Sequence, residues 1–150
     1  MNTLIRPIVD YASSVWDPHL QKDIDKIQSV QRRCARFVFN RLHNTSSPTG
    51  MLAELDWEPL ATRRAKIKLC TFYKIHHGLV DISAPSYIHL ATPRVRRTHN
   101  LAYFEISTTT AYYQHSFYPG TVVLWNKLPS AVAEAPNLTA FKAALAPIHF

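Results

Sequence analysis

The 150-residue chain has little of the material from which secreted, membrane-spanning or catalytic proteins are built. Its two cysteines, Cys34 and Cys70, are too few and too far apart to staple a small secreted domain, so they read as reduced thiols of an intracellular protein. Three scattered glycines (Gly50, Gly78, Gly120) cannot form a phosphate-cradling loop. No apolar run approaches the roughly 18 residues that a membrane span needs. The N-terminus lacks the basic start, long apolar centre and small-residue cleavage site of a signal peptide. Eight histidines are present, but no Cys-x-x-Cys, His-x-x-x-His or Cys/His knuckle, and the adjacent His76 and His77 diverge by about 100° around a helix. Asp23 and Asp25 stand at i,i+2 on a helix and diverge too, so they do not make a two-metal site. No serine sits in a nucleophile elbow. The expectation is a chain with no catalytic, metal or cofactor-binding residues.

What is present is apolar bulk and segregated positive charge. With 47% hydrophobic residues the chain can bury a core, and its length suits one domain, residues 1–150. The net charge of +7 is uneven. Residues 19–43 carry six Lys/Arg against two Asp, and residues 59–78 carry five Lys/Arg and no acid. Arg94, Arg96 and Arg97 form a third basic group. Segregation of this kind favours a polyanionic partner over simple solubility.

Periodicity predicts a mainly α-helical fold, with a helical part over 1–78 and a hairpin with short helices over 79–150. Residues 3–16 are mostly apolar and read as helical or extended. From Leu20 to Leu42, apolar residues (Leu20, Ile24, Ile27, Val30, Cys34, Phe37, Val38, Leu42) recur at three- and four-residue steps, the mark of a long amphipathic helix. Lys22, Arg32, Arg33 and Arg36 fall opposite that stripe. A short helix is expected at 48–55 and a second long one from Pro59 to His77, closed by Gly78 and packed on two sides. The latter leaves a narrow basic stripe of Arg63, Lys66 and Lys74. Prolines 85 and 93 make 79–99 irregular. The aromatic-rich stretches 100–106 and 111–117 read as a small β-hairpin. Helices are expected at 119–128 and at 138–146, the second with Asn137 as its N-cap.

A lone Lys or Arg on a helix is usually a solvated face, the reading given to Arg6, Arg41, Lys127 and Lys142. That reading is weaker for Arg32, Arg33 and Arg36, which share a face. It is weaker also for Arg63, Arg64, Lys66 and Lys68, whose helix offers no acids at i±4. Both clusters are candidate phosphate contacts. Charge alone is equally compatible with RNA, DNA or an acidic protein.

A set of landmarks narrows the choice. Leu4-Ile5-Arg6-Pro7, Asp10-Tyr11-Ala12-Ser13 and Trp16-Asp17-Pro18 are followed by Val30-Gln31-Arg32-Arg33, Arg36-Phe37 and Arg63-Arg64. Then come Tyr73-Lys74-Ile75-His76-His77-Gly78-Leu79, His99-Asn100, Ser116-Phe117, Leu124-Trp125-Asn126-Lys127-Leu128-Pro129, Ala135-Pro136 and Phe141-Lys142. In this order and spacing the chain resembles, nearly end to end, the region downstream of the catalytic core in LINE-type, jockey-like non-LTR retrotransposon reverse transcriptases. The resemblance implies a helical thumb-like domain and the segment after it, tracking an RNA or RNA/DNA template-primer. It places the paired catalytic aspartates, and the Mg²⁺ they hold, in an upstream palm. The residues it would set against a nucleic-acid backbone are Lys22, Arg32, Arg33, Arg36, Arg63, Arg64, Lys66, Lys68, Lys74, Arg94, Arg96 and Arg97. Gly120 stands where the family often carries arginine, and the Cys/His knuckle that ends some LINE-type elements is missing. Trp125 reads as a core anchor rather than a stacking platform. The rival expectation is a host-reused protein-interaction module, or an inert relic. Truncation would leave the apolar face at 3–16 exposed and prone to self-association.

Overall fold

The computed structural model describes residues 5–40, 47–91 and 99–150. They are mainly helical: α1 (Ile5–Asp10), α2 (Ser13–Trp16), α3 (Gln21–Val38), α4 (Pro48–Glu54), α5 (Leu60–His76), α6 (Ala111–Gln114), α7 (Phe117–Asn126), α8 (Ser130–Ala133) and α9 (Leu138–Leu145). Where the sequence reads as one domain, the chain divides into two compact units, residues 1–64 and 65–150, with the boundary inside α5.

In the first unit, Ala12 takes a left-handed backbone (φ 49°) and splits the apolar N-terminal stretch into α1 and α2. Helix α3 ends four residues short of Leu42 because Asn40 turns left-handed (φ 50°), a conformation asparagine tolerates better than most residues. Its buried face takes in only part of the apolar stripe. Gln31, Cys34 and Ala35 are buried, whereas Leu20, Val30, Val38 and above all Phe37, 71% exposed, are open to solvent. Hydrogen bonds bring glutamine into that face. Gln28 Nε2 donates to Gln31 Oε1 (2.8 Å), and Gln31 Nε2 donates to the Glu58 carbonyl (2.9 Å). Gln28 Oε1 accepts the Leu60 N–H (3.2 Å), one of the donors that a helix leaves unsatisfied at its start. The apolar centre of this unit is Ala35, Met51 and Leu52, with Phe39, Leu55 and Trp57 against it.

The second unit is built around Trp125, which is fully buried as a core anchor. Phe72 lies 5.2 Å from its ring and Phe141 5.9 Å, and Tyr73 stacks on Phe141 at 4.5 Å. Leu69, Val122, Leu128, Val132 and Leu145 complete the core. Helix α5 is buried on more than one side, at Leu60, Thr62, Ala65, Leu69, Phe72, Tyr73 and Ile75. It ends where Gly78 (φ 61°) lets the Leu79 N–H return to the Lys74 carbonyl (2.8 Å). Asn137 caps α9 by accepting the Ala140 N–H at 2.8 Å.

The hairpin expected over 100–117 is not formed. Residues 111–114 are helical, with the Thr110 hydroxyl accepting the Tyr113 N–H. Residues 102–104 instead pair antiparallel with 89–91, through Ala91 N–H to Ala102 C=O (2.8 Å) and Phe104 N–H to His89 C=O (3.0 Å). In such a pair Tyr103 points its own N–H and C=O to the other side. The Asn126 carboxamide takes both: its Oδ1 accepts from Tyr103 N (2.9 Å) and its Nδ2 donates to Tyr103 O (2.8 Å). Trp125 Nε1 donates to Leu101 O (2.8 Å) on the same side. Two side chains of α7 thus do the work of a neighbouring strand.

Candidate nucleic-acid interface

Helix α3 carries Lys22, Arg32 and Arg33 exposed on its solvent face. Arg36 lies one turn beyond Arg32 and is half-buried, its Nε shielded and without a hydrogen bond among the described residues. Lys22 stands about 15 Å along the axis from Arg32, at 1.5 Å per residue. Asp23, the acid in the first turn, is engaged by Lys26 at 3.1 Å, and Asp25 accepts from Gln21 Nε2 at 3.0 Å. Among the described residues, no ion pair neutralises Lys22, Arg32, Arg33 or Arg36.

The second cluster is disposed otherwise. Arg63 reaches Asp10 Oδ1 with Nη2 (2.9 Å) and Nε (3.2 Å). Arg64 is only 1% exposed: its Nε sits 2.8 Å from Asp17 Oδ1 and its guanidinium lies over the Trp16 ring. The expectation that these arginines lack acids fails, because the acids arrive from α1 and from the C-cap of α2, 53 and 47 positions away in sequence. A search at i±4 cannot find them. Lys66 Nζ donates to the Ala146 carbonyl (2.6 Å), Lys68 is buried, and Lys74 is half-buried in the last turn of α5. Arg94, Arg96 and Arg97 lie outside the described residues. Of the expected contacts, α3 therefore holds the exposed, unneutralised subset, while Arg63 and Arg64 are tied into the fold.

Burial pushes the Cys34 thiol up. Burial also raises the Cys70 thiol, partly offset by Lys142 and Lys74. Both are the protonated, unreactive kind of cysteine. Among the described residues, no group of three or more His, Cys, Asp or Glu side chains converges as a metal site would require, and no helix is long and apolar enough to cross a membrane.

Several landmark residues meet in space. Buried His99 donates from Nε2 to the Trp125 carbonyl (2.9 Å), and Asn126, next in the chain, binds Tyr103. His76 Nδ1 hydrogen-bonds the Tyr103 hydroxyl. Composition and periodicity had marked Trp125 alone. The roles of Asn126 and His99 depend on contacts more than 20 residues away.

No protein-family model, curated protein or solved structure matches the chain.

Proposed function

We propose that the chain corresponds to the thumb and post-thumb region of a jockey-like non-LTR reverse transcriptase, and that it grips RNA or an RNA/DNA duplex through the basic face of α3. The observation that carries this reading is the exposure of Arg32 and Arg33 on one helix with no acid engaging them among the described residues. Arginines held in this way make phosphate contacts that fix a duplex without reading its sequence and release counterions as they do so. Alone, the chain binds nucleic acid weakly and polymerises nothing, since the resemblance puts the catalytic aspartates upstream.

Binding of an RNA/DNA duplex, followed by fluorescence anisotropy over a salt series, tests the reading. Affinity should fall steeply with salt, and Arg32→Glu with Arg33→Glu and Arg36→Glu should weaken it at least tenfold. Salt-independent binding, or an unaffected triple variant, would return these arginines to the solvated-face reading. Primer extension with Mg²⁺ and nucleotides should yield no product.

A second reading, as a protein-interaction module, draws on the first unit's exposed apolar residues Ile8, Tyr11, Val15 (85% exposed) and Phe37. It expects the mass in light scattering to rise with concentration, and a strict monomer counts against self-association through that face.

A further inference from the structure

Helix α3 sets an aromatic ring in line with its cations. Steps of four, three and four residues place Lys26, Val30, Arg33 and Phe37 along one line of the helix surface, and all four are exposed. Phe37 is the most open apolar residue of the helix. Arg33 stands one turn before it, about 6 Å along the axis, and Arg36 directly precedes it in the chain. The Lys26 ammonium is held by Asp23, whereas among the described residues no ion pair engages either arginine. Packing does not account for the ring, since among the described residues Phe37 belongs to neither core cluster. Helix propensity does not account for it either, because phenylalanine is a poorer helix former than alanine, leucine or lysine.

We propose that Phe37 stacks on an unpaired base of a strand whose phosphates are held by Arg33 and Arg36, which makes the end of α3 a contact for single-stranded nucleic acid. The order of residues along the line selects this partner. A protein groove that receives a helix asks for apolar anchors at successive three- and four-residue steps, but Lys26 and Arg33 occupy alternate steps here. A helix lying on a lipid surface keeps its cations and its rings on opposite faces, whereas here they share one. Cation and ring side by side match the phosphate and base of one strand, the pairing on which single-strand recognition is built. A paired base keeps its faces inside the stack, so the ring finds a partner only where bases are unpaired. This deepens the reading of α3 as a nucleic-acid grip, and rests on it for the choice of a polyanion.

The test uses the full chain with three probes of equal length: a single-stranded deoxythymidine dodecamer, an abasic strand with the same phosphates, and a duplex. The wild type should bind the base-bearing single strand about tenfold tighter than the abasic one, the scale of one stacked base. Phe37→Ala, at an exposed position outside the core, should erase that preference and leave abasic-strand and duplex binding unchanged. Phe37→Trp keeps a flat ring and should keep the preference, whereas Phe37→Leu, apolar without a ring, should lose it. Equal wild-type binding of base-bearing and abasic strands, or a preference that survives in Phe37→Ala, would overturn the stacking contact while leaving the arginine grip standing. A preference kept by Phe37→Leu, or duplex binding lost with the ring, would overturn it too, by assigning Phe37 to general apolar contact. A wild-type dimer that Phe37→Ala turns into a monomer overturns it by making a second copy the partner of the ring. No binding of any probe overturns both readings.

Discussion

The Arg64 guanidinium lies over the Trp16 ring, 5.9 Å from its centroid, while its Nε stands 2.8 Å from the carboxylate of Asp17. One buried cation thereby ties the start of α5 to the end of α2 through an aromatic face and a charge. Neither its Nε nor its Nη1 makes a hydrogen bond among the described residues, so the charge of the nearby carboxylate is the main compensation for burying the cation.

Removing that carboxylate should therefore be costly. Asp17→Asn leaves the guanidinium buried and unneutralised and is expected to destabilise the fold by about 3 kcal/mol, the usual cost of breaking a buried pair. Arg64→Met, which fills similar volume without charge, should cost less. Urea denaturation of the two variants checks the order, and equal losses would mean that packing rather than charge dominates.

The acids that pair with Arg63 and Arg64 show where the sequence was legible and where it was not. Spacing finds the long helices, since apolar steps and terminal signals are local: Gly78 stops α5 and Asn137 starts α9, as expected. It misses the polar part of the buried face of α3, because Gln28 and Gln31 earn their place through bonds to Glu58 and Leu60 rather than through hydrophobicity. It misreads the hairpin because residues 111–117 are rich in strand-forming aromatics, yet 111–114 are helical behind a Thr110 cap. On the candidate site, exposure of Arg32 and Arg33 follows from helical phase, whereas the engagement of Arg63 and Arg64 depends on partners 53 and 47 positions away in sequence.

Acid should loosen the second unit. Burial, and then the neighbouring His77, holds the His76 imidazole below its ordinary value, so the folded state favours the neutral ring. The unfolded chain binds that proton more readily, near pH 6.5. Stability from this group is complete above that pH and declines as the pH falls through the lowered folded value. Thermal melts should show a lower Tm at pH 5.5 than at pH 7.5, and His76→Gln should shrink the difference.

At the alkaline end, burial pushes the Tyr103 phenol up to about 12. The folded state keeps its proton where the unfolded chain, near 10, has lost it. Stability from this group is therefore present below pH 10 and falls as the pH rises toward 12. An ultraviolet titration should show one tyrosine ionising about two units later than a free tyrosine, and Tyr103→Phe should delete that late step.

Gly78 offers a clean backbone test. Its φ of 61° disfavours any residue with a Cβ, yet a Cβ there meets nothing within 4 Å. Gly78→Ala should cost about 1 kcal/mol from conformation alone. Gly78→Asn should cost less, since asparagine tolerates the left-handed region, and a larger loss for Asn than for Ala would contradict the argument.

The carboxamide of Asn126 also bears on how the protein behaves in a crowd of its own copies. An extended, aromatic-rich stretch is ordinarily a template on which another chain's backbone can build, and proteins guard such stretches with charge, proline or bulges. Here the guard is the hydrogen-bonding itself: residues 89–91 occupy one side of 102–104, and Asn126 occupies the Tyr103 groups on the other. Both rims of the stretch are taken within its own unit, leaving a stray strand no rung at Tyr103 to start from.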